Sequence, residues 1–318
     1  MAARVTTTSP YPERRRPFLT RTDLLGYLFI SPWVIGFVAF SLLPFIASFL
    51  LSFTDWNIVG RWNWVGVQNY AKMVSGVDDR FVVALGNTLY YAALTVPGGQ
   101  VIALSLALLL NKKAPGIAVY RTLFYIPAIA SGVGTAYLWA QIFSSHGGLL
   151  NSGLDLIGIE GPTWLYSLTW SMPALIIVGL WNVGTPMLIY LAALQGVPQS
   201  LYDAASVDGA NTLRKFFHVT IPMVTPAIFF NVVLGFIGAF QVFTIAYVIT
   251  GGGPANATLF YSLYLYTVAF RNLRMGYAAA LAWVLFLIIL AITIVQLVMA
   301  RLWVYYEGSA PSTVAGPR

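Results

Sequence analysis

The side chains able to do chemistry are few in this chain, and their placement limits what they could do. There are ten carboxylates and two histidines, and no cysteine. Without cysteine, disulfides, thiol redox chemistry, cysteine-ligated zinc and cysteine nucleophiles are all excluded. His146 and His218 are separated by one membrane-length apolar run, which puts them on opposite faces and prevents a shared metal or proton-transfer site. No Ser–His–Asp arrangement can be argued, and no G-x-x-x-x-G-K-[ST] loop is present to cradle a nucleotide. Gly251–Gly253, closed by Pro254, reads as a tight exit turn after an apolar run. What remains is amide and aromatic chemistry. Asn87, Gln100, Gln141, Asn182, Asn231 and Gln241 lie within apolar runs, and Tyr247 lies near the end of one. Such groups can hydrogen-bond and stack on a polar ligand. They can equally bond a neighbouring helix, at about 0.6 kcal/mol on average.

The elements that carry these residues are membrane spans. Of 318 residues, 58% are hydrophobic and 8% are charged, against about 25% charged in a soluble domain. Six runs are long enough to cross a bilayer, which takes about 20 helical residues. They are roughly 24–53, 81–110, 121–143, 168–194, 224–249 and 276–302. Pro44, Pro97, Pro127, Pro173, Pro186 and Pro226 fall inside them, and neighbouring helices can satisfy the carbonyls that such prolines free. The spans hold essentially no ionisable residue away from their ends. A proton-coupled carrier normally needs one, so energy supplied by a separate subunit is favoured over a secondary carrier.

Orientation follows from the basic residues. Six spans leave both termini on one side. That side also holds Lys112, Lys113, Arg121, Arg214 and Lys215, and collects 12 of the 17 basic residues. The positive-inside rule makes it cytoplasmic. The net charge of +7 is therefore a topology signal and not a nucleic-acid footprint. Residues 1–22 form an Arg-, Thr- and Pro-rich tail expected to be disordered, and 306–318 form a second cytoplasmic tail. The apolar run after the first tail is too long for a signal-peptide core.

Between the fourth and fifth spans lies a polar connector, 199–222. Ser200-Leu-Tyr-Asp203 fits a capping box, and a short helix is expected through Ala204, Ala205 and Val207. Gly209 permits a turn there. Asn211 or Thr212 can cap a second helix with Leu213, Phe216 and Phe217 on one face, and Pro222 is expected to end it. An amphipathic connector of this kind could lie on lipid. The small residues Ala204, Ala205, Gly209 and Ala210 favour close approach by a protein partner.

Asp203-Ala-Ala-Ser-Val-Asp208-Gly209-Ala210, followed by Phe216, Ile221 and Pro222, resembles the "EAA" loop of the inner-membrane permease subunits of ABC importers. The family usually has Glu where this chain has Asp203, so the charge is kept. Trp181-Asn-Val-Gly184, Ala192–Pro198, Thr250–Pro254 and Gly276–Ala282 resemble the carbohydrate branch, the maltose-type permeases, as do Phe29–Pro32 and Ser52–Trp56.

That resemblance implies an all-α fold of six transmembrane helices over 23–305. This chain would be a non-catalytic subunit in the bacterial or archaeal inner membrane. Its partners would be a second six-helix permease, two cytoplasmic ATPase subunits and an extracytoplasmic sugar-binding protein. No cofactor would be bound by this chain, the ATP and magnesium being held by the ATPases. Asp203 and Asp208 would anchor the connector in the ATPase, with Ala204, Ala205, Gly209 and Ala210 giving a close fit. The sugar path would use Asn231 and Gln241, because the fifth span contributes to it in the family, and then Asn182 and Trp283. A polyol or a glycerol phosphate ester is an alternative cargo, although no basic residue lies mid-span to meet a phosphate. An ATPase-independent carrier and a non-transporting membrane sensor are rivals of a different class.

Overall fold

A computed structural model describes residues 21–305 apart from 59 and 113. The expected tails lie outside the described residues, except that Arg21 and Thr22 already belong to the first helix. The described residues divide into two compact units, one ending at Leu51 and one beginning at Ser52. The first contains α1, which starts at Arg21 and whose membrane-length part is Leu24–Leu51, and in it a π-turn over Val38–Leu42 ends two residues before Pro44. Pro44 has no N–H to give, and a widened turn accommodates the gap in the ladder.

Among the described residues the second unit holds helices and their connecting loops, with no strand beyond two isolated bridges, Thr54 with Trp64 and Asn57 with Arg274. Short α2 (Gln68–Val74) is fastened to the preceding turn by Asn69, whose Nδ2 donates to the carbonyls of Ser52 and Thr54, both at 2.9 Å. The long α3 (Asp79–Leu110) is the central post. Its buried stripe, Ala84, Thr88, Tyr91, Val96, Ala103, Ala107 and Leu110, keeps a helical period and is mostly small. Small faces let helices approach closely in a solvent where apolar surface alone gives no drive to associate.

Around α3 pack α7 (Ser171–Trp181), α8 (Gly184–Gln195), α10 (Thr212–Phe240) and α11 (Tyr261–Tyr266). The remaining elements are α4 (Ile117–Ile129), α5 (Gly132–Ile142), α6 (Leu149–Asp155), α9 (Gln199–Val207) and α12 (Met275–Trp303).

Asp78 closes one end of the bundle. One carboxylate oxygen caps α3 by accepting from the Phe81 N–H, and the other accepts the hydroxyls of Tyr264, at 2.5 Å, and Tyr277. Burial and the bond to Asp78 both push the Tyr264 phenol upward, so it remains the donor.

Two expected spans are not single rods. The third is α4 and α5, bent by 100° at Ala130–Ser131, and the fourth is α7 and α8, bent by 40° at Asn182–Val183. The fourth break precedes Pro186, which occupies the first turn of α8, where its missing N–H leaves nothing unpaired. The helix expected to start at Val224 instead begins at Thr212 and runs unbroken to Phe240. Pro222 does not end the connector helix. A π-turn over Phe216–Thr220, closed by the Ile221 N–H on the Phe216 carbonyl, carries the helix past the proline. Four helices span by length, and two bent pairs could each make one more crossing.

Candidate functional site

The connector forms an elbow. α9 starts after Pro198, whose extended backbone breaks from α8, and no side chain caps it. The expected capping box does not form, because the helix begins two residues early, with Pro198 and not Ser200 at the N-cap, and takes Ser200 into its first turn. The Asp203 carboxylate accepts from Gln199 Nε2 at 3.1 Å, one turn away.

The far end of α9 closes as a Schellman motif: Gly209 N–H bonds the Ser206 carbonyl at 3.1 Å and Ala210 N–H the Ala205 carbonyl at 2.9 Å. That closure needs a left-handed residue, and Gly209 sits at φ +73°. Asn211 then caps α10 by accepting from Arg214 N–H at 2.9 Å.

α9 has two faces. Tyr202, Ala205 and Ser206 meet α10: the Tyr202 hydroxyl lies 3.0 Å from Thr220 Oγ1, and Lys215 Nζ donates to Ser206 Oγ at 2.7 Å. Asp203, Ala204, Val207 and Asp208 form the opposite stripe, all exposed, with Val207 at 88%. Of the residues expected to dock, Asp203, Ala204, Asp208 and Gly209 are thus exposed, while Ala205 and Ala210 are half-buried.

A second feature lies inside the bundle. A cavity of about 360 Å³ is walled by α3 near Gly99 and Gln100, and by the broken points of three helical segments. Pro127, Ala130 and Gly132 come from the α4–α5 break, Asn182 and Val183 from the α7–α8 break, and Gly238, Val242 and Ile245 from the end of α10. Discontinuous helices leave backbone groups free to face a cavity.

Asn182 lines this cavity and is exposed. Asn231 does not. It is buried, its Nδ2 donating to the Pro186 carbonyl at 3.3 Å and its own carbonyl accepting from Gln100 Nε2 at 3.3 Å. Gln100 in turn accepts the Tyr190 hydroxyl at 2.5 Å, so both ends of its amide serve helix–helix bonds. Gln241 is exposed at the C-cap of α10, beside the cavity-lining Val242. Trp283 is half-buried on α12, edge-to-face with Phe286 at 5.5 Å, away from the cavity lining. Asn87 ties α3 to the loop after α10 through the Asn256 and Leu259 carbonyls.

Thr95 and Thr135 line the cavity and were not singled out by sequence. Thr95 bonds the Tyr91 carbonyl one turn back at 2.7 Å, a bond most helical threonines make, so residue type gave no signal.

Residues 24–304 match the family described as "Binding-protein-dependent transport system inner membrane component". The chain is 42% identical over 293 residues to the "Probable ABC transporter permease protein YesP" of Bacillus subtilis, covering 91% of this chain and 94% of that protein. It is 34% identical over 284 residues to the "Arabinooligosaccharides transport system permease protein AraP" of Halalkalibacterium halodurans, covering 88% of this chain and 89% of that protein. A chain of a bacterial ABC transporter involved in the import of the acidic polysaccharide alginate superposes with a TM-score of 0.78 at 25% identity, covering 88% of this chain and 96% of that one.

Proposed function

Because this chain belongs to the family of binding-protein-dependent transport system inner membrane components, we propose that it is one half of a transmembrane pair that imports a carbohydrate. The chain is an integral multi-pass permease subunit of an ABC importer and is not an enzyme. The observation that carries the carbohydrate reading is the 34% identity to an arabinooligosaccharide permease over nearly the whole of both chains. The fold shared with an alginate importer supports the same class of cargo.

In this reading a second permease, two ATPases and an extracytoplasmic binding protein complete the machine, with both termini of this chain in the cytoplasm. The exposed stripe Asp203–Ala204–Val207–Asp208 enters a cleft of one ATPase. Its inner face is pinned to α10, so ATPase closure moves α10. The far end of α10 forms one broken wall of the central cavity. A push on the elbow therefore reaches the cavity through one continuous 29-residue helix. Asn182 offers its amide to a sugar hydroxyl there. This chain binds no cofactor, and ATP with magnesium stays on the ATPases.

The test is uptake of labelled oligosaccharide by vesicles containing the complete assembly, with and without ATPase, and with the ion gradient collapsed. ATP-dependent uptake that is lost without the ATPase and indifferent to the gradient is expected. Uptake that persists without the ATPase and tracks the gradient would overturn the reading.

A further inference from the structure

Lys112 and Arg121 line a cavity of about 570 Å³ where α3 ends, α4 begins and α8 ends at Gln195. Arg121 Nη2 donates to the Leu110 carbonyl at 2.8 Å, closing the C-terminus of α3, and its buried Nε has no partner. Among the described residues neither cation pairs with a carboxylate, and the Lys112 ammonium makes no hydrogen bond. α4 starts at the same turn with no side-chain cap on its first amides. Two unpaired cations thus flank an open space at the membrane boundary.

The same two helices carry a second, apolar cavity of about 490 Å³, lined by Leu106, Leu123 and Phe124 among others. Leu123 and Phe124 are exposed, at 55% and 40%. Phe124 lies three residues beyond Arg121 on α4, and Leu106 lies five residues before Asn111 on α3, roughly 8 Å along the axis. The cationic cavity and the apolar slot thus lie about one turn apart on α4 and between one and two turns apart on α3.

We propose that this corner binds an anionic phospholipid, its phosphate held by Lys112 and Arg121 and one acyl chain laid along Leu106, Leu123 and Phe124. A basic pocket between helices at the membrane surface suits an anionic headgroup. The slot beneath suits a chain that cannot leave the bilayer. A partner helix seated here would leave both cations without a counter-charge unless it carried a carboxylate at the boundary. The leaflet concerned is the one on the connector side, since Gln195 leads into α9.

The test measures lipid retained by the purified transporter, using phosphatidylglycerol and phosphatidylcholine with identical chains. Native mass spectrometry would read retention, with millimolar inorganic phosphate as competitor. Preferential retention of phosphatidylglycerol is expected, unaffected by phosphate and weakened about fivefold for each cation removed in Lys112→Gln and Arg121→Gln. Leu123→Trp, which fills the slot, weakens retention with both cations intact. Arg121→Gln disturbs the end of α3, whereas the Lys112 side chain makes no hydrogen bond among the described residues, so Lys112→Gln decides the matter if the former is unstable. Equal retention of the two lipids, or unchanged retention in Lys112→Gln, overturns the proposal. So does displacement by phosphate, which identifies a site for free anions, or a complete transporter that retains neither lipid, which identifies a slot filled by protein.

Discussion

The Tyr202 hydroxyl lies 3.0 Å from Thr220 Oγ1, which fastens the connector helix to the base of a helix that runs 29 residues toward the central cavity. Tyr202 is on α9, and Thr220 closes the π-turn that carries α10 past Pro222. Removing that bond loosens the joint without touching the exposed stripe. Tyr202→Phe is expected to cost about 1 kcal/mol in stability. It should lower uptake several-fold while the ATPase still copurifies. Uptake equal to the parent protein at equal membrane content would show that the joint carries no force.

Gly209 occupies φ +73°, and a Cβ there meets nothing within 4 Å. Backbone strain, not space, is therefore the cost of substitution in this chain, at about 1–2 kcal/mol for an ordinary residue. Gly209→Asn should be tolerated best, because Asn visits that region readily, and Gly209→Ala should reduce uptake. Gly209→Asp can adopt the turn yet adds charge and bulk beside the docking stripe, so it should insert in the membrane and abolish transport. Equal transport by the Asn and Asp variants, each with the ATPase bound, contradicts a docking role for the turn.

Asn182 and Asn231 separate a cargo contact from helix glue. Asn182 is exposed to the cavity, whereas Asn231 is buried and bonded to the Pro186 carbonyl. Asn182→Ala is expected to raise the sugar concentration for half-maximal uptake, by about tenfold if one good hydrogen bond is lost, with unchanged thermal stability. Asn231→Leu should lower thermal stability by about 1–3 kcal/mol and leave that concentration nearly unchanged. The reverse pattern would exchange their roles.

Those two asparagines also mark the limit of what sequence could tell. Both are amides inside apolar runs, and residue type cannot say which faces a cavity and which faces a neighbouring helix. Gln241 and Trp283 carry the same ambiguity, and neither lines the cavity. Span positions were legible because hydropathy is a one-dimensional property: α3 and α12 lie within two residues of expectation at each end. The bends were not, because a break at Ala130–Ser131 depends on which neighbours satisfy the freed carbonyls. The turn at Gly209 was legible because its φ restricts the residue type. Ser200, in contrast, fitted a cap pattern, but the helix started two residues earlier, capped by Pro198.

Gly184 opens α8 against the backbone of α4. A Cβ on it would sit 2.8 Å from the Phe124 carbonyl oxygen and 3.1 Å from the Tyr125 Cα. Backbone cannot step aside as a side chain can. Gly184→Val should therefore force α4 and α8 apart and cost about 1–3 kcal/mol. Its melting temperature in detergent should fall below that of Gly60→Val, where the only nearby atom is 3.9 Å away. Matching temperatures would argue against the close approach.

The most direct test of the coupling account uses the absence of cysteine. Val207→Cys places a single thiol at the 88% exposed crest of α9. A membrane-impermeant maleimide should label it in inside-out vesicles and not in intact cells, and bound ATPase should block the labelling. Labelling from outside intact cells, or labelling indifferent to the ATPase, would contradict the claim that this elbow receives the ATP-driven push.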